Sequence, residues 1–244
     1  HLQGLPPQIS AASGATITRG KHMSNLLETI ELDSAPNPTV AIIWMHGLGA
    51  DGNDFVPLVK ELDLRGCPAI RFIFPSAGTM PVTINNGYVM RAWYDIREND
   101  LVRREDEGGL RASQAQIEAL IAREKARGIP ASRIILAGFS QGCAMTLQTG
   151  LRHAEPLAGL MCLSGYLPLA DKTAAERTPA SLQTPVFMAH GTADPVVPIG
   201  RAQQSRDLLV GMGYKVEWHD YMMQHSLCQE EIDAIGAWLK KVLV

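Results

Sequence analysis

Apolar residues in this chain gather in short continuous runs, separated by amphipathic stretches and by loops rich in turn-forming residues. Val40–Met45 (VAIIWM) is six apolar residues in succession, and it runs into His46-Gly-Leu-Gly-Ala-Asp-Gly52. Ile70–Phe74, Ile134–Ala137, Leu157–Leu163, Val186–Ala189 and Lys215–Tyr221 repeat the theme, with Leu27–Leu32 leading. Runs of this length, bounded by turn signals, predict strands buried on both faces. Leu110, Ile117, Leu120 and Ile121 instead follow helical spacing, in a segment stopped by Gly128 and Pro130. Arg201–Met212 and Gln229–Val242 read as two more helices. Asn53 is placed to cap a short one carrying Phe55, Leu58, Val59 and Leu62. Ser76 to Gly109 shows no clear period and reads as a long irregular stretch.

Strands alternating with helices need crossover connections. The expected fold is therefore α/β: one mostly parallel sheet with helices on both faces. No repeat or linker divides the chain.

Composition narrows the class. With 46% hydrophobic and 19% charged residues, the chain has ample material for a core. Twenty-two basic residues against 25 acidic give −3, no general attraction for nucleic acid or anionic membrane. No apolar run approaches the roughly 20 residues that span a bilayer. Residues 1–22 contain no acid and end at His22-Met23, the kind of junction a cloning site leaves, so they are expected to be a vector-derived tail. Without them, 222 residues carry 20 basic and 25 acidic side chains, or −5. Cys67, Cys143, Cys162 and Cys228 form no CxxC pair or metal-finger spacing, so reduced thiols, a cytoplasmic location and no metal are expected.

The chemistry centres on loops at strand ends. Gly138-Phe-Ser-Gln-Gly142 fits G-x-S-x-G, follows an apolar strand and opens a helix over Gln141–Leu151. In such an elbow the serine sits in a strained turn, and side chains at the glycine positions would collide with neighbouring backbone. A serine hydroxyl needs a base, and in folds with this elbow an acid and then a histidine follow in chain order. His190 ends a strand and leads into Gly191-Thr-Ala-Asp194, which presents an acid in a loop. His219 falls inside the last strand beside Trp218, where packing is the simpler role. His225 lies beyond it, in the loop before the final helix, and is the better base. For the acid, Asp194 leads Asp220, which shares a strand end with the histidine it would orient; Asp171 is third. An oxyanion hole would draw one donor from the Gln141 N–H at the helix start and another from the His46–Gly49 loop, assigned to Leu48.

His46–Gly52, Arg91-Ala-Trp-Tyr-Asp-Ile96, Gly138–Gly142, Leu163-Ser-Gly-Tyr-Leu-Pro168, His190–Asp194 and the His225 loop occur in that order. Together they resemble the phospholipase/carboxylesterase family of α/β-hydrolases, across essentially Met23 to Val244. The resemblance implies a Ser140–His225–Asp194 triad, Leu48 and Gln141 as oxyanion donors, and hydrolysis of carboxylic esters or thioesters without a cofactor. The chain departs from the family pattern at Cys143, where a glycine is usual, and at Met222-Met-Gln ahead of His225, where proline and glycine are more frequent.

Only about 20 residues separate Ser164 from Pro185, too few for a helical cap domain. The Ser76–Gly109 stretch is expected to form a flap over an open site, with Met80, Val82, Val89, Met90, Trp93 and Tyr94 supplying an apolar wall and Trp93 its anchor. Arg97–Glu107 reads as a solvated face. The leading expectation is a serine carboxylesterase acting on short-to-medium acyl esters, a small-molecule substrate. A thioesterase or lysophospholipase would use the same groups, and a non-catalytic ligand-binding protein could keep the fold without turnover. No nucleic-acid partner or membrane insertion is expected, and an exposed apolar flap would suit pairing with a second copy.

Overall fold

The computed structural model describes residues 26–98 and 104–244, together with the strand backbone of Ile9–Ser10 and Thr16–Gly20. Its strands are β1 (Ile9–Ser10), β2 (Thr16–Gly20), β3 (Thr29–Asp33), β4 (Val40–Met45), β5 (Ile70–Pro75), β6 (Thr79–Val82), β7 (Tyr88–Arg91), β8 (Ile134–Phe139), β9 (Gly159–Leu163), β10 (Val186–Gly191) and β11 (Val216–Tyr221). The α-helices are α1 (Glu107–Ala126), α2 (Gln141–Gly150), α3 (Ala170–Glu176), α4 (Ile199–Gly211) and α5 (Gln229–Leu243).

Among the described residues, nine strands form one sheet in the order β1-β2-β3-β5-β4-β8-β9-β10-β11. The six from β5 to β11 are mutually parallel, and β3 joins β5 antiparallel. The pleat sends alternate residues to opposite faces. Along β4, Ala41, Ile43 and Met45 pack with Leu110, Ile117 and Leu120 of α1, and with Ala144 and Leu147 of α2. Val40, Ile42 and Trp44 pack instead with Ile232, Ile235, Trp238 and Leu239 of α5. This sheet, with a helical layer on each face, is the α/β-hydrolase arrangement.

Three differences from the sequence reading matter. The sheet reaches into the stretch read as a tail, since Thr16–Gly20 pairs with β3 in the register Ile17↔Leu32. Residues 1–8, 11–15 and 21–22 of that stretch lie outside the described residues, as do 99–103 of the charged run Arg97–Glu107. The Ser76–Gly109 stretch is not irregular throughout: β6 and β7 form a separate antiparallel hairpin, with Met80 opposite Met90. Asn53 caps nothing; its N–H and side-chain amide both donate to Asp51, and the short helix Val56–Glu61 is 3-10. The β9–β10 connection holds α3, whose Glu176 is tied to Arg111 and Arg152 of the main body, with no cap domain.

None of the described helices is long and apolar enough to cross a membrane.

Candidate active site

β8 turns into α2 through Ser140, at φ 60 and ψ −116. A non-glycine residue rarely adopts positive φ, and the close packing around the turn holds it there. A Cβ on Gly138 would lie 2.0 Å from the Gly142 carbonyl oxygen, and one on Gly142 would lie 2.1 Å from that of Met45. The second contact presses the start of α2 onto the end of β4. The elbow and the His46–Gly49 loop are thereby held side by side.

Ser140 Oγ lies 3.0 Å from His225 Nε2, and His225 Nδ1 lies 2.7 Å from Asp194 Oδ2. An ionised carboxylate only accepts, so Nδ1–H donates to Asp194 and Nε2 is left to accept from the serine. The Asp194 side chain is fully buried. Its Oδ1 accepts the Val196 and Val197 N–H groups at 2.8 and 2.9 Å, which leaves Oδ2 for the imidazole. His190 Nε2–H donates to Val197 O at 2.7 Å and stands 3.4 Å from Asp194 Oδ2, so it braces the loop that carries the acid. Burial lowers the His190 pKa, which keeps a second positive charge away from Asp194. The His225 loop is tied back by Ala193 N–H donating to Met223 O at 3.1 Å, an anchor that needs neither proline nor glycine before the histidine.

The candidate oxyanion donors sit where their elements end. Among the described residues, neither Leu48 nor Gln141 N–H donates to a backbone carbonyl, whereas Gly49 N–H is spent on Arg91 O at 2.8 Å. The first N–H groups of a helix lack intrahelical partners, so that of Gln141 is free by construction of the helix. His46 stiffens the loop. Its Nε2 accepts from Ala77 N–H at 2.9 Å, so the proton is on Nδ1, which donates to Gly47 O at 2.6 Å. Burial lowers the His46 pKa and favours this neutral ring. The Gln141 side chain clamps the neighbouring segment: Oε1 accepts from Trp93 N–H at 2.9 Å, and Nε2–H donates to Tyr94 O at 2.8 Å.

A cleft of about 280 Å³ opens beside Ser140, bordered by Leu48 and Gln141 and by side chains from the hairpin, from Pro195–Val197 and from Tyr166. Of the six residues expected to form the apolar wall, only Tyr94 borders it, and Val89 is exposed on the hairpin. Val82 and Trp93 turn into the interior, where Trp93 Nε1–H donates to His46 O at 2.9 Å and pins the flap. Met80 and Met90 face each other across the hairpin, and Met90 leans towards Gly49 of the oxyanion loop rather than into the cleft. The reading missed Ile84, Asn85, Ile96, Glu98, Tyr166 and Pro195–Val197. Tyr166 and Pro195–Val197 had a signal: they directly follow the ends of parallel strands, where α/β folds bind ligands.

The weaker candidates are occupied elsewhere. His219 packs tilted against Phe187, with centroids 5.2 Å apart, and contacts Glu217. Asp220 accepts from Trp218 Nε1–H, and Asp171 lies on α3. Cys143 is buried against Gly165 and Cys162, away from the cleft. Among the described residues no cluster of His, Cys, Asp or Glu is arranged to hold a metal.

The chain is similar to known proteins along most of its length. The family model described as phospholipase/carboxylesterase matches residues 27–243. Acyl-protein thioesterase 1 of Neurospora crassa is 44% identical over 215 residues, covering 84% of this chain and 87% of that protein. Among solved structures, Arabidopsis thaliana SOBER1 has a TM-score of 0.79 at 31% identity, covering 84% of this chain and 99% of that one. Zea mays acyl-protein thioesterase 2 has a TM-score of 0.75 at 29% identity, covering 88% and 99%.

Proposed function

This chain belongs to the phospholipase/carboxylesterase family and is an ester-hydrolysing serine hydrolase, and we propose that within the family it works as an acyl thioesterase, releasing acyl groups from cysteine thiols of proteins or peptides. The observation that carries this reading is the identity of 44%, over most of both chains, with a protein named acyl-protein thioesterase 1. It takes precedence over a carboxylesterase of short-to-medium oxygen esters, which has only family-level support.

In the proposed reaction, Ser140 Oγ attacks the thioester carbonyl carbon while His225 Nε2 takes its proton. Asp194 holds the ring in the required tautomer and offsets the charge of the imidazolium. The tetrahedral oxyanion is received by the Leu48 and Gln141 N–H groups, each such donor being worth about 10²–10³ in rate. Collapse breaks the C–S bond, and His225 returns the proton to the departing thiol. Water, deprotonated by the same ring, then attacks the acyl-serine carbonyl and releases the carboxylic acid and free Ser140. A cysteine thiol has a pKa of about 8.5 and leaves readily, so the same machinery has less to do than for an alkoxide.

The test compares a peptide carrying S-acyl cysteine with the same peptide carrying O-acyl serine. A kcat/KM at least about tenfold higher for the thioester is expected, a difference of about 1.4 kcal/mol in transition-state binding. Preference for the oxygen ester returns the carboxylesterase reading. No turnover of either, with no fluorophosphonate labelling of Ser140, leaves only the ligand-binding one.

A further inference from the structure

The cleft beside Ser140 has an open end and a closed one. Of the residues around it, Asn85, Pro195 and Val196 face solvent, whereas Tyr94 and Tyr166 are 2% and 6% exposed. The two tyrosines therefore form the deep end. Their hydroxyl oxygens lie 2.8 Å apart. Two phenols bring two O–H groups, but a single hydrogen bond joins them, and neither hydroxyl has another partner among the described residues. One O–H is thus left unspent at a buried surface. Burial raises both phenol pKa values, so both protons stay in place at neutral pH.

This wall cannot retreat easily. The backbone on either side of Tyr94 is gripped by Gln141, whose own N–H points to the oxyanion site. At about 280 Å³, the space in front falls just below the roughly 300–1,000 Å³ usual for ligand pockets.

We propose that Tyr94 and Tyr166 are the specificity-determining residues of the acyl cleft: the paired phenols stop the acyl chain at short-to-medium length and disfavour a methyl end that reaches them. The inference rests on the reading that Ser140 is the nucleophile and that this cleft takes the acyl group. It holds equally for thioesters and oxygen esters.

The experiment measures kcat/KM of the full chain on butyryl, octanoyl, dodecanoyl and palmitoyl substrates, each as a thioester and as a nitrophenyl ester. The quantity read is the ratio of each chain to butyryl within one variant. Wild type is expected to fall at least about tenfold between octanoyl and palmitoyl. Tyr166→Ala opens the wall and shifts the fall to longer chains. Tyr166→Phe keeps the wall but removes one hydroxyl, raising the ratio on the longest accepted chain about threefold to tenfold. The proposal is overturned by a wild type that takes palmitoyl as well as octanoyl, or by Tyr166→Ala with an unchanged profile. If Tyr166→Ala does not fold, an unchanged ratio in Tyr166→Phe overturns it. Activity on oxygen esters alone removes the thioesterase reading and leaves the wall to be judged on that series; inactivity on both series removes both.

Discussion

A Cβ on Gly191, the last residue of β10, would stand 2.2 Å from the carbonyl oxygen of Gln224, the residue before His225. The loop carrying the base is thus seated directly on the strand that leads to the acid. Gly191→Ala should push that loop outward by the better part of an ångström, and a displacement of about 1 Å at a catalytic group costs on the order of 10² in rate. Steady-state kinetics should show the loss in kcat, with circular dichroism reporting a retained fold.

Asp194→Asn preserves shape but offers His225 an amide in place of a carboxylate, so the ring is free to adopt the tautomer that cannot accept from Ser140. A loss on the order of 10⁴ in kcat is expected. A loss below about tenfold would mean that His225 is oriented by other contacts.

His46 is neutral and buried, with Nε2 accepting from Ala77 N–H. Its folded pKa lies below the ordinary 6.5, so the unfolded chain binds the proton more readily. Its contribution to stability is therefore full above pH 6.5 and shrinks as the pH falls through that value towards the folded pKa. Urea denaturation at pH 7.5 and 5.5 should show wild type losing more stability than His46→Gln, which can still accept from Ala77. Equal losses in the two proteins would exclude this role for His46.

Glu231 has the opposite sign. Both its carboxyl oxygens are buried without a hydrogen-bond partner, and burial raises its pKa to about 8 from 4.5. The neutral acid is the form that suits the fold, so stability falls as pH rises from 4.5 to about 8 and levels off above. Glu231→Gln should thus be more stable than wild type at pH 9, by at least about 1 kcal/mol, with the gap closing towards pH 5. A gap that does not change with pH would rule out titration as its cause.

Gln141→Glu tests the clamp on the flap. A protonated glutamate can still donate to Tyr94 O and accept from Trp93 N–H, whereas an ionised one sets two oxygens against each other. The ratio of variant to wild-type kcat/KM should rise as pH is lowered from 8 to 5.5, since pH effects common to both proteins cancel in it. A flat ratio would show that the side chain does not position the site.

The central sheet is legible because β4, β8, β9 and β10 are continuous apolar runs, which few other structures can bury. The meeting of Ser140, Asp194 and His225 is legible for a related reason: each lies just past a strand end, in the chain order that this elbow requires. β6 and β7 carried no such signal, since a two-stranded hairpin with exposed Tyr88 and Val89 has no core face to impose alternation. β2 was missed because its TITRG segment is short and polar, and it is recruited by the edge of β3. The cleft lining was the least legible part. Side chains from several separate loops meet there, and nothing local distinguishes Val82, which points inward, from Ile84, which borders the opening.

The strand order also has a consequence in time. Ser140 leaves β8 and His225 follows β11, three places along the sheet and 85 residues later in the chain. At roughly 5–20 residues per second of synthesis, the nucleophile is made several seconds before its base. A nascent chain that has reached Ser140 has only a weakly nucleophilic alcohol and attacks no acyl group around it. On the proposed mechanism, hydrolysis needs the C-terminal end of the sheet to have been made and docked.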